Sequence, residues 1–188
     1  SDKETPLKSL YEQFYVRMDS AQKAVWDKFY TPIIDKFYKD DLKGEDLVRW
    51  KYQRYMRDYA KTVKSLDDNV GKVLDYLEKE GLLDNTLVVY TSDQGFYMGE
   101  HGWSDKRFMY EECQRMPLDI RYPKAIKSGS VSNAIAMNVD FAPTLLDFAG
   151  VDIPADIQGQ SLKPILDNEG KVPADWRNIM VFVQLILN

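Results

Sequence analysis

The order of elements along the chain predicts an α/β fold, part of an open sheet flanked by helices. Three observations carry that expectation. A long amphipathic helix runs over residues 45–80, the β-branched run "NTLVVYTSD" follows it, and a second strand and a further helix come next. In open α/β sheets of this kind ligands collect at the carboxyl ends of strands.

Taken in order, residues 1–44 read as a helical lead-in, polar and aromatic, with helical patches such as "SAQKAVWDKFYTPIIDKFYKD". Pro32 stands inside that pattern, which predicts two short helices or one helix with a break. Over 45–80, apolar side chains fall at Val48, Tyr52, Tyr55, Tyr59, Val63, Leu66, Val70, Val73 and Leu77. Spacings of three and four place them on one stripe of a helix. Gly81 sits where a C-terminal cap belongs. "NTLVVYTSD" reads as a strand buried on both faces, and "PLDIRYP" as a second strand flanked by prolines. "AIAMNVDFAPTLLDFAGVDIP" reads as a weak strand, a loop, and a helix opening near Pro143 and closing at Gly150. The apolar tail, over 177–188, reads as a terminal strand.

Composition narrows the function. The chain has 188 residues, 44% of them apolar and 29% charged, as in an ordinary soluble globular protein. That length suits one domain with a core better than two. A net charge of -5 leaves no cation surplus for neutralising phosphates, so a general nucleic-acid binder is not expected. No apolar stretch approaches the roughly twenty residues of a bilayer span, and "SDKETPLKSLYEQF" has no apolar signal-peptide region. The single cysteine, Cys113, excludes an internal disulfide.

The chemistry concentrates in "TSDQGFYMGEHGWSDKR", residues 91–107, directly after the first strand. Asp93 offers a hard charged oxygen and Gln94 an amide oxygen beside it. Neighbouring strand residues ordinarily point to opposite faces. At a strand end the backbone can turn, and Gly95 supplies the freedom to do so. Both oxygens then converge on one hard cation, Ca²⁺ or Mg²⁺. The competing reading is a solvated turn. Lys106 suits an oxyanion held by such a cation, or plain solvation. His101 suits proton donation or simple packing within the loop.

The segment "SLDDNVGKVLDYLEKEGLLDNTLVVYTSDQGFYMGEHGWSDKRFMYEE" resembles the sulfatase family of the alkaline-phosphatase-like superfamily. "NVDFAPTLLDFAGVDIPADIQGQSLKPIL" is similar to the family's segment downstream of its active-site lysine. The resemblance covers residues 45–176 best and looks closest to bacterial sulfatases of sulfated glycans. It implies that Asp93 and Gln94 ligate a divalent cation, usually calcium, that Lys106 contacts the sulfate, and that His101 lies near the mouth of the site. It also implies that Asp140 and Pro143-Thr144 are structural.

The same resemblance implies a formylglycine nucleophile, made from cysteine in a C-x-P-x-R or C-x-A-x-R setting. Cys113, in "CQRMP", stands in neither and follows the lysine rather than preceding it. The family's N-terminal aspartate pair and upstream histidine have no counterpart here. Calcium takes roughly six to eight oxygens, and Asp93 with Gln94 supply about two or three. The expectation is therefore an incomplete sulfatase catalytic domain, inactive alone, that needs an N-terminal half or another chain to complete its site. Self-association would be one consequence. The implied substrate is a sulfated small molecule or glycan, and the implied location periplasmic or secreted. The alternatives are a non-catalytic remnant serving as a binding module, and a phosphate or phosphonate ester hydrolase of the same superfamily.

Overall fold

A computed structural model describes residues 13–180. The chain divides into two compact units, Ser1–Ala60 and Lys61–Asn188.

In the first unit, helix α1 (Ser20–Asp40) opens on a capping box. The Asp19 side chain accepts from Gln22 N at 2.8 Å, and the Gln22 side chain accepts from Asp19 N at 3.0 Å. Pro32 lies inside this helix without ending it, contrary to the break expected there. A proline removes one ladder hydrogen bond, and aromatic packing on both sides of it holds the helix together. Trp26 and Tyr30 lie 4.2 Å apart before it, and Phe37 packs 4.4 Å from Trp50 after it.

Helix α2 (Gly44–Lys79) follows the expected span. It ends because Gly81, at φ 67°, takes the left-handed conformation a side chain resists. Leu82 N then reaches Leu77 O at 2.8 Å and Gly81 N reaches Glu78 O at 3.0 Å, a Schellman cap. The apolar stripe, however, is largely uncovered. Val63, Leu66 and Val73 are exposed, as are Val48, Tyr52, Tyr55 and Tyr59 in the first unit. In the second unit only Val70, Leu74 and Leu77 are half-buried apolar positions of α2, and Val70 and Leu74 line the same cleft as the first strand.

Strand β1 (Val88–Thr91) pairs antiparallel with β4 (Leu118–Arg121), Val88 opposite Arg121 and Thr91 opposite Leu118. The short strands β2 (Tyr97–Met98) and β3 (Ser104–Asp105) form a second antiparallel pair. Helix α3 (Glu111–Gln114) stands between that pair and β4. The α/β class holds, but β1 is not buried on both faces: Val89 and Tyr90 are exposed. Double burial requires a layer on each side, and the described residues do not supply both. Arg121 ties β4 back to the start of the sheet through Leu83 O at 2.8 Å.

The weak strand expected at the start of "AIAMNVDFAPTLLDFAGVDIP" does not form, as these residues have no ladder partner among the described residues. A 3-10 turn, Asn138–Asp140, leads into helix α4 (Phe141–Phe148), with Pro143 and Thr144 buried as expected. Gly150 (φ 68°) closes α4 with a second Schellman cap, Val151 N to Leu146 O at 3.0 Å. Helix α5 (Lys163–Leu166) packs beside it, with Leu162 and Ile165 buried. Residues 177–180 form no strand, and the remainder of the expected terminal strand, 181–188, lies outside the described residues.

Asp140, fully buried, ties this region together. Its carboxylate accepts from Met137 N at 2.8 Å and Gln160 N at 2.9 Å, and meets Arg177 in a two-pronged pair. Its carbonyl accepts from Thr144 Oγ1 at 2.6 Å, and that hydroxyl accepts from Leu162 N at 2.8 Å. Removing one partner of a buried pair leaves an unpaired charge inside, at a cost of about 3–5 kcal/mol. Asp140→Ala should therefore shift the urea unfolding midpoint of the second unit sharply downward. An unchanged midpoint would contradict the role assigned to this carboxylate.

Candidate functional site

The loop after β1 is positioned by hydrogen bonds to its own backbone atoms, from other backbone groups and from two side chains. Gly95 N donates to Cys113 O at 2.8 Å and Phe96 N to Glu112 O at 2.9 Å, which docks the loop on α3. Gly95 is needed here for close approach. A Cβ on it would lie 2.1 Å from Glu112 O and 2.9 Å from Arg115 O, while its φ is not positive. The turning freedom expected of it is not what the fold uses. Ser92 Oγ donates to Gln94 O at 2.8 Å, closing the turn from within. From a distant segment, Asn138 Nδ2 donates to Asp93 O at 2.8 Å.

The hairpin β2–β3 then folds the chain back, with Tyr97 opposite Asp105. Tyr97 is fully buried. Its hydroxyl donates to Phe108 O at 2.9 Å and accepts from Tyr110 N at 3.2 Å, fixing the segment just past Lys106. Burial pushes the Tyr97 phenol above its ordinary pKa. The turn at the hairpin tip is held by Glu100, whose carboxylate accepts from Met98 N at 2.6 Å. Backbone N–H groups, that of Met98 first, hold the Glu100 carboxyl below the usual range.

The side chains expected to act are placed as follows. Asp93 is exposed at the carboxyl end of β1, with only a long 3.4 Å contact from Ser92 Oγ on its carboxylate, and Gln94 beside it is half-buried. Lys106 directly follows β3 and is exposed. Of the three cations over 106–115, Arg107 pairs with Asp105 at 3.2 Å and Arg115 with Glu111 at 3.0 Å. Lys106 alone has no acid partner among the described residues. His101 adopts a left-handed backbone (φ 57°), stacks on Tyr110 at 4.7 Å and meets Glu112 Oε1 at 3.2 Å. It is thus engaged with its own loop. Cys113 is half-buried, and its carbonyl holds Gly95.

Asp93 and Gln94 are hard oxygen donors of the kind a calcium-sized cation takes, and no lysine or arginine of the described residues pairs with Asp93. They fit such an ion in kind but do not complete its shell. No cluster of three or more His, Cys, Asp or Glu able to hold a metal exists among the described residues. A separate cleft of about 1180 Å³, lined by apolar residues such as Val70, Val88 and Ile120 and by charged ones such as Glu111 and Arg115, includes none of Asp93, Gln94, His101 or Lys106.

Residues 99–184 match the family model described as N-sulphoglucosamine sulphohydrolase, C-terminal. An N-acetylglucosamine-6-O-sulfatase of Bacteroides thetaiotaomicron is 68% identical over 163 residues, covering 87% of this chain and 29% of that protein. Over most of its length the chain is similar to members of the sulfatase family. It spans under a third of that relative's length. Human N-acetylglucosamine-6-sulfatase is 40% identical over 119 residues, 62% of this chain and 21% of that protein. A solved enzyme in complex with its substrate, D-glucosamine-2-N,6-O-disulfate, superposes with a TM-score of 0.82 at 65% identity over 94% of this chain and 35% of that one. A phosphonate monoester hydrolase of Silicibacter pomeroyi is 38% identical with a TM-score of 0.55, over 59% of this chain and 21% of that one. The fold is thereby that of the sulfatase and alkaline-phosphatase-like enzymes.

The contacts of the sulfatase loop that sequence reading misses are Asn138 on Asp93 O, Tyr97 beneath 108–110, and the α3 carbonyls against Gly95. An alanine at Gly95 would drive its methyl into those carbonyls, and overpacking of this sort costs about 1–3 kcal/mol. Gly95→Ala should lower the melting temperature and raise amide exchange at residues 95–96. Protection there equal to the parent chain would refute the close-approach argument.

Proposed function

We propose that this chain is the C-terminal part of a sulfatase catalytic domain that hydrolyses sulfate esters of amino sugars, glucosamine 6-O-sulfate being the favoured unit. The observation that carries this reading is the 68% identity to an N-acetylglucosamine-6-O-sulfatase across 87% of the chain. In this reading Asp93 and Gln94 supply two of the ligands to a divalent cation, calcium by preference. When bound, that ion draws charge from the sulfate oxygens and orients the ester. Lys106, without an acid partner among the described residues, holds the sulfate and stabilises the charge its oxygens gain as the ester bond breaks. In the same reading His101, which stacks on Tyr110 and meets Glu112, lies near the mouth of the site.

The nucleophile is a formylglycine carried outside residues 1–188, since Cys113 is neither in a convertible setting nor on the ligand loop. The whole enzyme works in the periplasm or outside the cell. No helix of the described residues is long and apolar enough to cross a membrane. The uncovered residues Val63, Leu66 and Val73 on α2 and Val89 and Tyr90 on β1 support a further segment, or another chain, packing on this one. A second reading, hydrolysis of phosphonate or phosphate esters, draws on the 38% identity to a phosphonate monoester hydrolase.

In the full-length enzyme Asp93→Ala should abolish turnover of glucosamine 6-sulfate together with bound calcium. Lys106→Ala should lower kcat by orders of magnitude while the protein stays folded. A loss below about tenfold, roughly 1.4 kcal/mol, would reduce Lys106 to a solvated side chain. Faster turnover of an aryl phosphonate than of the sulfate would move the assignment to the second reading. Residues 1–188 alone should show no sulfatase activity with calcium and a formylglycine-generating enzyme supplied. Hydrolysis of an aryl sulfate by that chain, lost in Lys106→Ala, would overturn the split-site reading.

A further inference from the structure

We infer that Asn138 is a positioning residue for the metal-ligand pair: its side chain pins the peptide unit between Asp93 and Gln94 in the orientation that lets both oxygens meet one cation. This rests on the assignment of Asp93 and Gln94 to the metal. Successive side chains of a strand point to opposite faces, so two adjacent ligands converge only if the peptide joining them is turned out of strand alignment. The β1 ladder ends at Thr91, opposite Leu118, and no strand among the described residues pairs with residues 92–96.

The partners of that stretch are therefore individual. Gln94 O accepts from Ser92 Oγ at 2.8 Å, within the turn itself. Gly95 N and Phe96 N are held by the carbonyls of Cys113 and Glu112. The carbonyl of Asp93 has Asn138 Nδ2 at 2.8 Å, contributed from 45 residues away. Of these bonds, this is the one that acts on the peptide unit joining the two ligands from outside the loop.

Asn138 is exposed, but the backbone that carries it is anchored. It opens the 3-10 turn Asn138–Asp140, whose last residue is the fully buried Asp140. That carboxylate fixes Met137 N on one side of Asn138 and pairs with Arg177 on the other side of the cluster. Gly159 presses against the same turn, where a Cβ would come within 1.9 Å of Val139 O. The turn is thus held at Asp140 and beside Gly159, and the Asn138 side chain passes that restraint on to Asp93. Ligands supported by such outer hydrogen bonds lose about 10–100-fold in metal affinity when the support is removed.

The test uses the full-length enzyme, stripped of metal, with calcium titrated by calorimetry into the parent protein, Asp93→Ala and Asn138→Leu. Leucine keeps the branched shape of asparagine and removes the donor. Asn138→Leu should weaken calcium binding about 10–100-fold, leave the melting temperature of the metal-free protein unchanged, and raise deuterium uptake over residues 92–96. Calcium binding as in the parent by Asn138→Leu, with binding lost in Asp93→Ala, overturns the positioning role alone. So does a lowered melting temperature with an unchanged calcium affinity, since the bond then serves stability only. Calcium retained by Asp93→Ala instead removes the metal assignment beneath it. Should Asn138→Leu fail to fold, Asn138→Ser shortens the donor beyond reach and is read by the same criteria.

Discussion

A carboxylate buried without partners is among the costliest groups a protein can hold, and the second unit is arranged to satisfy the one at Asp140. Its two oxygens reach three separate stretches of chain, at Met137, Gln160 and Arg177. None of those stretches belongs to regular structure, so the carboxylate joins them as a sheet ladder would join strands. Thr144 extends the cluster by accepting from Leu162 N while donating to Asp140 O. The buried apolar residues beside it, Leu162 and Ile165, stand directly on this polar frame. Gly159 follows from the same constraint, because the chain at Gln160 can approach Asp140 only if its neighbour lacks a side chain against Val139.

What sequence alone makes legible is local chemistry. The helix caps at Gly81 and Gly150 are readable because a glycine just past an apolar helical period is the usual left-handed cap. The strand at 88–91 is readable from its β-branched run and that at 118–121 from the prolines that flank it. Their antiparallel pairing is not, because register depends on a partner about 30 residues away that no local pattern names. The apolar stretch Ala134–Met137 has the composition of a strand and is not one, since composition carries no information about whether a ladder partner exists. Pro32 misleads in the opposite direction. Its cost is local and fixed, whereas the ring contacts that outweigh it, Phe37 on Trp50 among them, come from two helices.

The site divides along the same line. Asp93, Gln94 and Lys106 stand out because an acid, an amide and a cation after a strand already suggest a ligand loop, and the sulfatase resemblance sharpens the suggestion into roles. Gly95 stands out for the wrong reason. Sequence points to glycine's torsional freedom, while the structure uses its missing Cβ to bring the loop within hydrogen-bonding distance of the α3 carbonyls. Tyr97 is inconspicuous in a loop rich in aromatics, yet it is the fully buried one and organises both Phe108 and Tyr110. Asn138 escapes sequence reading altogether, because its contact spans 45 residues and leaves no periodic trace.

These observations separate the place where rigidity is generated from the place where chemistry occurs. Of the residues assigned to substrate and metal, Asp93, His101 and Lys106 are exposed and Gln94 is half-buried, which leaves them open to a ligand. Exposed loops are ordinarily the least stable part of a fold. Here the loop borrows its order from two buried hubs, Tyr97 on one side and Asp140 on the other, each a polar group satisfied in a dry setting. Hydrogen bonds to backbone atoms suit that purpose better than side-chain contacts would. They fix the path of the chain while leaving the carboxylate of Asp93, the amide of Gln94 and the ammonium of Lys106 available to a ligand.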